Sequence, residues 1–269
     1  MKGSPDKHVL TVDVGNTTTR LGLFLCAGAD KGAQPELLGT CELTTPARVT
    51  ADEAAIQIGQ ALGILGEKAT VDGAILSCVV PVLTSAWQQA LARVCETRPL
   101  TVGPGLKSGV PMRYDDPSEV GPDRVADVVA ARAAHGAPVV VIDLGTTTNF
   151  EVVDRTGAFA GGIICPGVEL GARALAQEAA RLPMIELRAP REVVGRSTRT
   201  AMQSGLVFGE AARIDGLLDA VMEELGTDAP VVVTGSGAAT IAPMLRRDAL
   251  VDGTLTLRGL ALLWQANRR

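Results

Sequence analysis

The residue types best suited to chemistry occur in two copies of one pattern. In residues 10–24 an apolar run ends at Asp13, Gly15 follows, and hydroxyl and amide side chains come next; residues 140–153 repeat the pattern with Asp143 and Gly145. Glycine lets the backbone approach a ligand closely, and the amides and hydroxyls of such a turn can bind phosphate. The repeat therefore predicts two phosphate-facing turns, about half a chain apart.

Outside these two copies, the sequence has few side chains of the types that commonly act in catalysis. The chain has only two histidines, so there is almost no material for a histidine-based zinc site or a Ser-His-Asp triad. Its five cysteines are scattered and form no C-x-x-C pair. We interpret them as buried reduced thiols, with a redox or metal role as the alternative. Chemistry must then come from carboxylates, hydroxyls, backbone amides and a bound cation.

A third candidate segment, residues 111–124, lies between the two copies. It is rich in turn residues and holds four acids together with Tyr114, the only tyrosine of the chain. Tyr114 either covers a small core under the loop or lines a site. A helix is predicted from Asp123 to residues 135–136, because apolar residues recur there at helical spacing. Asp123 thus lies at the first helical turn, where backbone amides and the helix dipole favour anions.

The elements that position these residues predict an α/β fold. Strand pairs at 8–14 with 19–25 and at 137–143 with 150–154 flank the two turns, and further strands are predicted at 37–43, 71–80, 158–164 and 229–234. Helices are predicted at 51–65, 82–96 and 168–181, from Ser197 or Thr198 to residue 225, and at 255–266. Residues 99–110 are interpreted as a connector, and the two halves are expected to meet near residues 115–120.

The amino-acid composition and the net charge limit the kinds of molecule that the protein is expected to bind. The chain has 269 residues, a hydrophobic content of 46% and a formal net charge of −5, with its basic residues dispersed. This charge gives no large attraction to nucleic acid or to anionic membranes. Because no signal-peptide pattern or long apolar stretch is present, we expect a cytoplasmic protein.

The duplicated Asp-x-Gly-x-Thr hairpin resembles the phosphate motifs of the acetate and sugar kinase, Hsp70 and actin superfamily. Further motifs occur along almost the whole chain, at 13–17, 77–81, Tyr114-x-x-Pro117, Gly121-x-Asp-Arg124, Asp143-x-Gly-Thr146, 161–167, Leu182-Pro183, Thr234-Gly235 and 257–260. In their order and spacing the chain resembles type III pantothenate kinase, the Bvg accessory factor family.

The resemblance implies a fold and an activity. The fold would be two ribonuclease-H-like domains of the actin-like ATPase type, at 1–117 and 118–269, with a nucleotide cleft between them. The activity would be ATP-dependent phosphorylation of pantothenate to 4′-phosphopantothenate, the first step of coenzyme A biosynthesis. ATP, Mg²⁺ and a monovalent cation, K⁺ or NH₄⁺, would be required, and the protein would be a homodimer.

The resemblance also implies residue roles. Asp123 would be the general base, and Asp143 would bind the monovalent cation. ATP would be bound by the first hairpin and by two positions of the second half: Asp13, Val14, Gly15, Asn16, Thr17, Thr18, Thr19, Arg20, Thr146 and Gly235. Pantothenate would be bound by Tyr114, Gly121, Pro122, Asp123 and Arg124, and by Ala179 at a position where some members offer a Thr from the second subunit.

Four positions depart from the family pattern. Asp127 stands where the family usually has Asn, four residues after Asp123 on the same helix face, where a second carboxylate would raise the proton affinity of the pair. Asn149, Glu151 and Ser236 are also unusual. Two alternatives therefore stay open: a nucleotide-binding regulator with impaired catalysis, and a kinase for another small alcohol.

Overall fold

The computed structural model describes residues 5–28, 33–65, 71–95 and 97–268. The chain divides into two compact units. Unit 1 comprises Met1–Ala130 and Thr254–Arg269, and unit 2 comprises Ala131–Gly253. Each unit contains one five-stranded mixed sheet.

The sheet of unit 1 has the order β3-β2-β1-β4-β5. Its strands are β1 (Lys7–Val14), β2 (Thr18–Cys26), β3 (Glu36–Thr44), β4 (Gly73–Cys78) and β5 (Leu100–Thr101). β1, β2 and β3 form an antiparallel meander, whereas β4 runs parallel to β1 and β5 runs parallel to β4. The carboxyl ends of β1 and β4 therefore meet at one edge of the sheet, which is where Asp13 lies.

Four α-helices accompany this sheet in the part of unit 1 that the structure describes. They are α1 (Ala51–Ile64), α2 (Pro81–Val94), the part of α3 (Pro122–His135) up to Ala130, and α8 (Leu255–Asn267). α1 begins at a capping box in which the side chains of Thr50 and Glu53 each bond the backbone of the other. α1 and α2 cover one sheet face with a core that contains Ile58 and Trp87. α8 covers the opposite face, where Gly73 leaves room for the Trp264 ring.

Unit 2 repeats this pairing scheme with the order β10-β9-β6-β7-β8. The strands are β6 (Val139–Leu144), β7 (Thr147–Val153), β8 (Phe159–Pro166), β9 (Val231–Thr234) and β10 (Ala249–Val251). β6, β7 and β8 form the antiparallel meander, and β9 runs parallel to β6. Strand for strand, β6 to β10 correspond to β1 to β5.

Besides the end of α3, four α-helices lie within unit 2 among the described residues. They are α4 (Val168–Glu178), α5 (Thr198–Gln203), α6 (Gly209–Leu225) and α7 (Ala238–Ile241). A π-helical turn, Ser204–Phe208, joins α5 to α6. The main core lies between α6, with Ile214 and Leu218, and the sheet residues Ile142, Phe150 and Val233.

The predicted fold class is confirmed, because both halves are α/β units with one duplicated topology. The short strands β5 and β10 were not predicted. The helix expected to run unbroken to residue 225 contains the π-helical turn. The division between the units also differs from the predicted boundary at 117/118. Part of α3 belongs to unit 1, where Gly259 of α8 packs directly on the backbone of Ala126.

The cysteines are free thiols, as the sequence predicted. Cys26, Cys41 and Cys95 are buried, while Cys78 and Cys165 are partly buried. Burial raises the pKa of Cys26 and of Cys95 to about 12, so these two remain protonated and unreactive. Across the part of the chain that the structure describes, we find no helix with the length and apolar character needed to cross a membrane.

Candidate active site

Asp13 is held at the carboxyl end of β1 by side chains from both neighbouring strands. The strand register places Arg20 of β2 and Ser77 of β4 opposite it. Ser77 Oγ donates to Asp13 Oδ1 at 2.8 Å, and Arg20 Nη2 donates to Asp13 Oδ2 at 3.2 Å. Arg20 Nη2 also lies 3.4 Å from the Thr256 hydroxyl of α8. The Asp13 carboxylate is thus buried and fixed in orientation.

The turn after Asp13 exposes some of the predicted phosphate ligands and hides others. The Gly15 N–H donates to the Thr18 carbonyl at 3.0 Å, and a Cβ at Gly15 would lie 2.8 Å from that oxygen. Asn16 and Thr17 are exposed at the tip, with Thr18 partly buried beside them. Two of the hairpin residues that were predicted to bind ATP have side chains that point into the protein interior.

Val14 is one of these inward members, since its side chain belongs to the core under α1 and α2. Thr19 is the other, and its hydroxyl lies 2.8 Å from that of Thr45. Both residues are completely buried. Any contact that Val14 or Thr19 makes with phosphate would therefore involve the backbone.

Asp123 lies in the first turn of α3. Its Oδ1 accepts the N–H of Arg124 at 2.8 Å. A Cβ at Gly121 would lie 2.4 Å from the same oxygen, so a larger residue there would require the Asp123 side chain to move. The pKa of Asp123 is raised, first by burial and then by the negative charge of Asp13. The two carboxylates therefore lie close enough to interact.

Arg124 and Tyr114 form a pair beside Asp123. Arg124 is 6% exposed, and its Nη1 donates to the Tyr114 hydroxyl at 3.3 Å. The guanidinium carbon lies 5.8 Å from the centre of the Tyr114 ring. Pro122 occupies the first position of α3, where a missing N–H costs nothing. The structure thus groups Tyr114, Gly121, Pro122, Asp123 and Arg124 within unit 1.

Asp127 is buried on α3, with 1% of its surface exposed. The sequence led us to expect that it would raise the proton affinity of Asp123. The largest charge effect on the pKa of Asp123 instead comes from Asp13. The carboxylate that acts on Asp123 is therefore contributed by β1, a neighbour that spacing along α3 does not reveal.

Asp143 occupies in unit 2 the position that Asp13 has in unit 1. It lies at the end of β6, partly exposed, opposite Asn149 of β7 and Thr234 of β9. Gly235 follows with a positive φ of 86°, and a Cβ there would lie 2.4 Å from Asp143 Oδ1 and 2.6 Å from the Leu144 carbonyl. Only glycine can make this turn against the carboxylate.

A cavity of about 160 Å³ adjoins this turn within unit 2. Its lining includes Gly145, Thr148, Ser236, Gly237 and Thr240. Thr146 directly follows the lining residue Gly145 in the sequence. The Thr146 carbonyl accepts the N–H of Gly167 at 3.1 Å. The glycine-rich turn after β9 and the turn after β6 therefore border one small pocket.

A buried polar network that sequence reasoning missed supports the wall of this cavity. Thr148 Oγ1 donates to Glu210 Oε1 at 2.6 Å, and Glu210 forms an ion pair with Arg213. Arg213 also donates to the Pro166 carbonyl at 2.7 Å. Nothing in the sequence marked Glu210 as a site residue, because it lies within an ordinary helical pattern of apolar and polar residues. Ala179 lies elsewhere in unit 2, at the end of α4.

The family of the chain is decided by its match to known sequences. The family model described as type III pantothenate kinase matches residues 9–220. The chain belongs to this family. A type III pantothenate kinase from Anaeromyxobacter dehalogenans (strain 2CP-C) is 40% identical over 261 residues, which cover 97% of this chain and 100% of that protein. One from Koribacter versatilis (strain Ellin345) is 37% identical over 264 residues, covering 97% and 96%.

Solved structures support the fold of this type III pantothenate kinase family member. A Campylobacter jejuni protein assigned to the Baf family of transcriptional activators has a TM-score of 0.59 at 17% identity, covering 96% of this chain and 98% of that one. A ROK family glucokinase from Streptomyces griseus, solved with glucose and AMPPNP, has a TM-score of 0.50 at 14% identity, covering 95% and 97%. At these identities the likeness concerns the fold alone.

Proposed function

We propose that this chain transfers the γ-phosphoryl group of ATP to the hydroxyl of pantothenate, giving 4′-phosphopantothenate for coenzyme A biosynthesis. Family membership supports the reaction and the use of ATP. The structural observation that carries the proposal is the buried Asp123 carboxylate, which accepts the Arg124 N–H and whose pKa is raised by burial and by the charge of Asp13. Phosphoryl transfer relies on positioning and charge stabilisation, which this inventory of side chains can supply.

Asp123 is the proposed general base. A carboxylate with a raised pKa accepts a proton from an attacking hydroxyl more readily than an ordinary Asp. The hydrogen bond from the Arg124 N–H fixes Oδ1 and leaves Oδ2 to face the alcohol. As the hydroxyl oxygen attacks the γ-phosphorus, its proton passes to Asp123.

Arg124 and Tyr114 are the proposed anchors of pantothenate. A guanidinium can bind the pantothenate carboxylate through two parallel hydrogen bonds. The contact with the Tyr114 ring and hydroxyl fixes Arg124 before substrate arrives, which reduces the entropy cost of binding. Gly121 and Pro122 would shape the same wall through the backbone.

Asp13 and its turn are the proposed site for Mg²⁺ and the ATP phosphates. The fixed Asp13 carboxylate suits Mg²⁺, which binds proteins through one or two carboxylates together with substrate phosphates. The exposed Asn16 and Thr17, with Gly15 and Thr18, offer donors to phosphate oxygens. Bound Mg²⁺ would neutralise charge on the phosphates, and Arg20 would keep Asp13 oriented toward it.

The remaining contacts, with the nucleotide and with the monovalent cation, are proposed for residues of unit 2. Thr146 and Gly235 would contact nucleotide at the cavity beside the Asp143 turn. Asp143 would bind the monovalent cation, K⁺ or NH₄⁺. The oxygen-rich surroundings of Asp143 fit such an ion, because a carboxylate, an amide and a hydroxyl lie in one row across three strands.

A homodimer in the cytoplasm is proposed as the working form. Unit 2 exposes apolar side chains that a second copy would cover, including Ile164 on the edge strand β8, Leu175 on α4, and Met184. Ala179 would then contribute to the pantothenate pocket of the partner. Sedimentation equilibrium tests the stoichiometry, and Leu175→Glu is expected to shift the protein toward monomer.

The decisive experiment measures ADP formation by the purified protein with ATP, Mg²⁺ and K⁺, with and without pantothenate. Pantothenate-dependent ADP formation is expected. Asp123→Asn should abolish turnover while retaining ATP binding, and Asp115→Asn is the matched control, since Asp115 is an exposed acid of the same segment. ADP formation without pantothenate would mean that water accepts the phosphoryl group and would favour a different function, and ATP binding without turnover would favour a regulator. Substantial activity in Asp123→Asn would refute the base assignment.

A further inference from the structure

The motif Leu257-x-Gly-Leu260, near the end of the chain, has no role in the proposed reaction. It belongs to α8, which lies on β1, β2 and β4 of unit 1. Its three named residues and the preceding Thr256 are all buried. The neighbours of these residues therefore show what α8 holds in place.

Gly259 brings α8 against the backbone of α3, the helix that begins beside Asp123. A Cβ at Gly259 would lie 1.9 Å from the Ala126 carbonyl oxygen and 2.5 Å from the carbonyl carbon. A backbone carbonyl cannot turn aside as the end of a flexible side chain can, so only glycine allows the two helices to approach this closely. Ala126 lies three residues after Asp123 on α3. The contact therefore supports α3 directly behind the turn that carries the proposed base.

The first turn of α8 lies beside the side chain that orients Asp13. Thr256 is 1% exposed, and its hydroxyl lies 3.4 Å from Arg20 Nη2, the nitrogen that donates to Asp13 Oδ2 at 3.2 Å. Leu257 packs on the same strand as Arg20, since a Cβ at Gly22 of β2 would lie 3.2 Å from Leu257 Cδ1. This end of α8 thus contacts both the strand and the guanidinium on which the orientation of Asp13 depends.

Asp13 and Asp123 come from a strand and a helix, so their separation depends on how these two elements are held. The two carboxylates are close, because the charge of Asp13 raises the pKa of Asp123. α8 reaches Asp13 through Thr256 and Arg20, and it reaches Asp123 through Gly259 and the α3 backbone. One helix therefore supports both acidic groups of the proposed reaction.

We propose that Thr256 and Gly259 are positioning residues, which fix the separation between the carboxylates of Asp13 and Asp123. Both residues are buried and act through others, Thr256 through Arg20 and Gly259 through α3. Phosphoryl transfer depends on the placement of the acceptor hydroxyl and the γ-phosphate, and a misplacement of about 1 Å can cost roughly 100-fold in rate. The inference rests on the proposed function for the roles of Asp13 and Asp123.

Gly259→Ala tests the contact with α3. The new methyl group must push the two helices apart, so kcat for pantothenate-dependent ADP formation should fall about 100-fold. The Kd of MgATP, measured by calorimetry without pantothenate, should change less than about threefold, because Asp13 and its turn do not belong to α3. A folded variant that keeps the kcat of the parent protein would overturn the proposal.

Gly73→Ala is the matched control. It makes the same chemical change against the same helix, because a Cβ at Gly73 would lie 2.6 Å from the Trp264 ring. Gly73 begins β4 and pairs with Val9, so this contact lies at the edge of the sheet remote from Asp13. Both variants should lose stability in urea unfolding, but only Gly259→Ala should lose kcat. A similar loss of kcat in both would mean that α8 merely covers the sheet, and the proposal would be wrong.

Thr256 provides a milder test, which also decides the matter if Gly259→Ala does not fold. Thr256→Val removes the hydroxyl beside Arg20 with little change in volume. Because Asp13 would be held less firmly, we expect the KM for MgATP to rise about three- to tenfold while the KM for pantothenate stays constant. Thr256→Ser keeps the hydroxyl and should have the parent KM. If the Val and Ser variants behave alike, the Thr256 hydroxyl does not act through Arg20 and its assignment is refuted.

Crystal structures of the parent protein and of Gly259→Ala give a readout that needs no activity. The Asp13–Asp123 carboxylate distance should differ between them by about 1 Å or more, because the new Cβ must reach ordinary van der Waals separation from Ala126. Gly73→Ala should keep the parent distance. An unchanged distance in Gly259→Ala would refute the positioning role. A parent protein without pantothenate-dependent ADP formation would refute the proposed function alone, since the carboxylate distance would still decide this inference.

Discussion

Ser77→Ala is the substitution whose effect follows most directly from the structure. The Ser77 hydroxyl is completely buried and donates to the buried carboxylate of Asp13 at 2.8 Å. A hydrogen bond to a charged group contributes about 1.5–3 kcal/mol. Because Arg20 still holds the other oxygen, we expect the lower part of this range, a loss of about 1.5–2 kcal/mol in the free energy of unfolding. That loss corresponds to a fall of about 3–8 °C in Tm.

The same substitution should affect catalysis, because Asp13 would no longer be fixed from both sides. We expect kcat/KM for MgATP to fall roughly 10- to 30-fold, the equivalent of the same free energy. The assays are urea unfolding and steady-state kinetics with saturating pantothenate.

Ser108→Ala serves as the control for Ser77→Ala, since Ser108 Oγ donates to a neutral carbonyl, that of Val110, at 3.0 Å. It should cost about 0.5–1 kcal/mol and leave kcat/KM unchanged. If Ser77→Ala is no more destabilising than this control and keeps full activity, the Ser77–Asp13 contact does not position the carboxylate.

Two further predictions concern the pH profile and the turn at Gly235. If Asp123 is the proposed base, the acidic limb of kcat/KM against pH should lie above the ordinary Asp value of about 3.9. Burial and Asp13 raise the pKa of Asp123, and activity would be lost as this carboxylate is protonated. Asp127→Asn should leave the limb in place, and a limb that moves by one pH unit would show that the two acids of α3 interact. Gly235→Ala should cost about 1–3 kcal/mol in urea unfolding, because φ is positive and the new Cβ would meet the Leu144 carbonyl. Gly216→Ala, in open space on α6, should instead stabilise by about 0.5–1 kcal/mol, and a loss in both variants would contradict the steric argument.

The central hairpins could be predicted from the sequence because their signals are local. An apolar run ending at Asp13, a glycine and an alternating return strand led to strands at 8–14 and 19–25, and the structure has β1 and β2 at Lys7–Val14 and Thr18–Cys26. The start of α3 beside Asp123 followed from helical spacing in the same way. β5, with two residues, and β10, with three, are too short to carry any periodicity.

The partners within the site could not be predicted, because they come from distant parts of the chain. Asp13 and Ser77 meet only because β1 and β4 pair in parallel in one specific register. The sequence places a serine at the end of a buried strand but does not say which strand lies beside it. For the same reason the sequence does not show that Asn149 and Thr234 lie on either side of Asp143. The strand register, and not their spacing along the chain, places these three oxygen-bearing side chains in a row.

The return of α8 to unit 1 has a consequence for synthesis on the ribosome. Residues 131–253 form unit 2 without interruption, so this unit can fold as soon as it has emerged. Unit 1 begins earlier in the chain, but the face of its sheet that carries Gly73 and Asp13 stays uncovered until Leu257, Leu260 and Trp264 have been translated. The half that is made first is therefore completed last, and its exposed strands are the part of the nascent chain that most needs protection from aggregation.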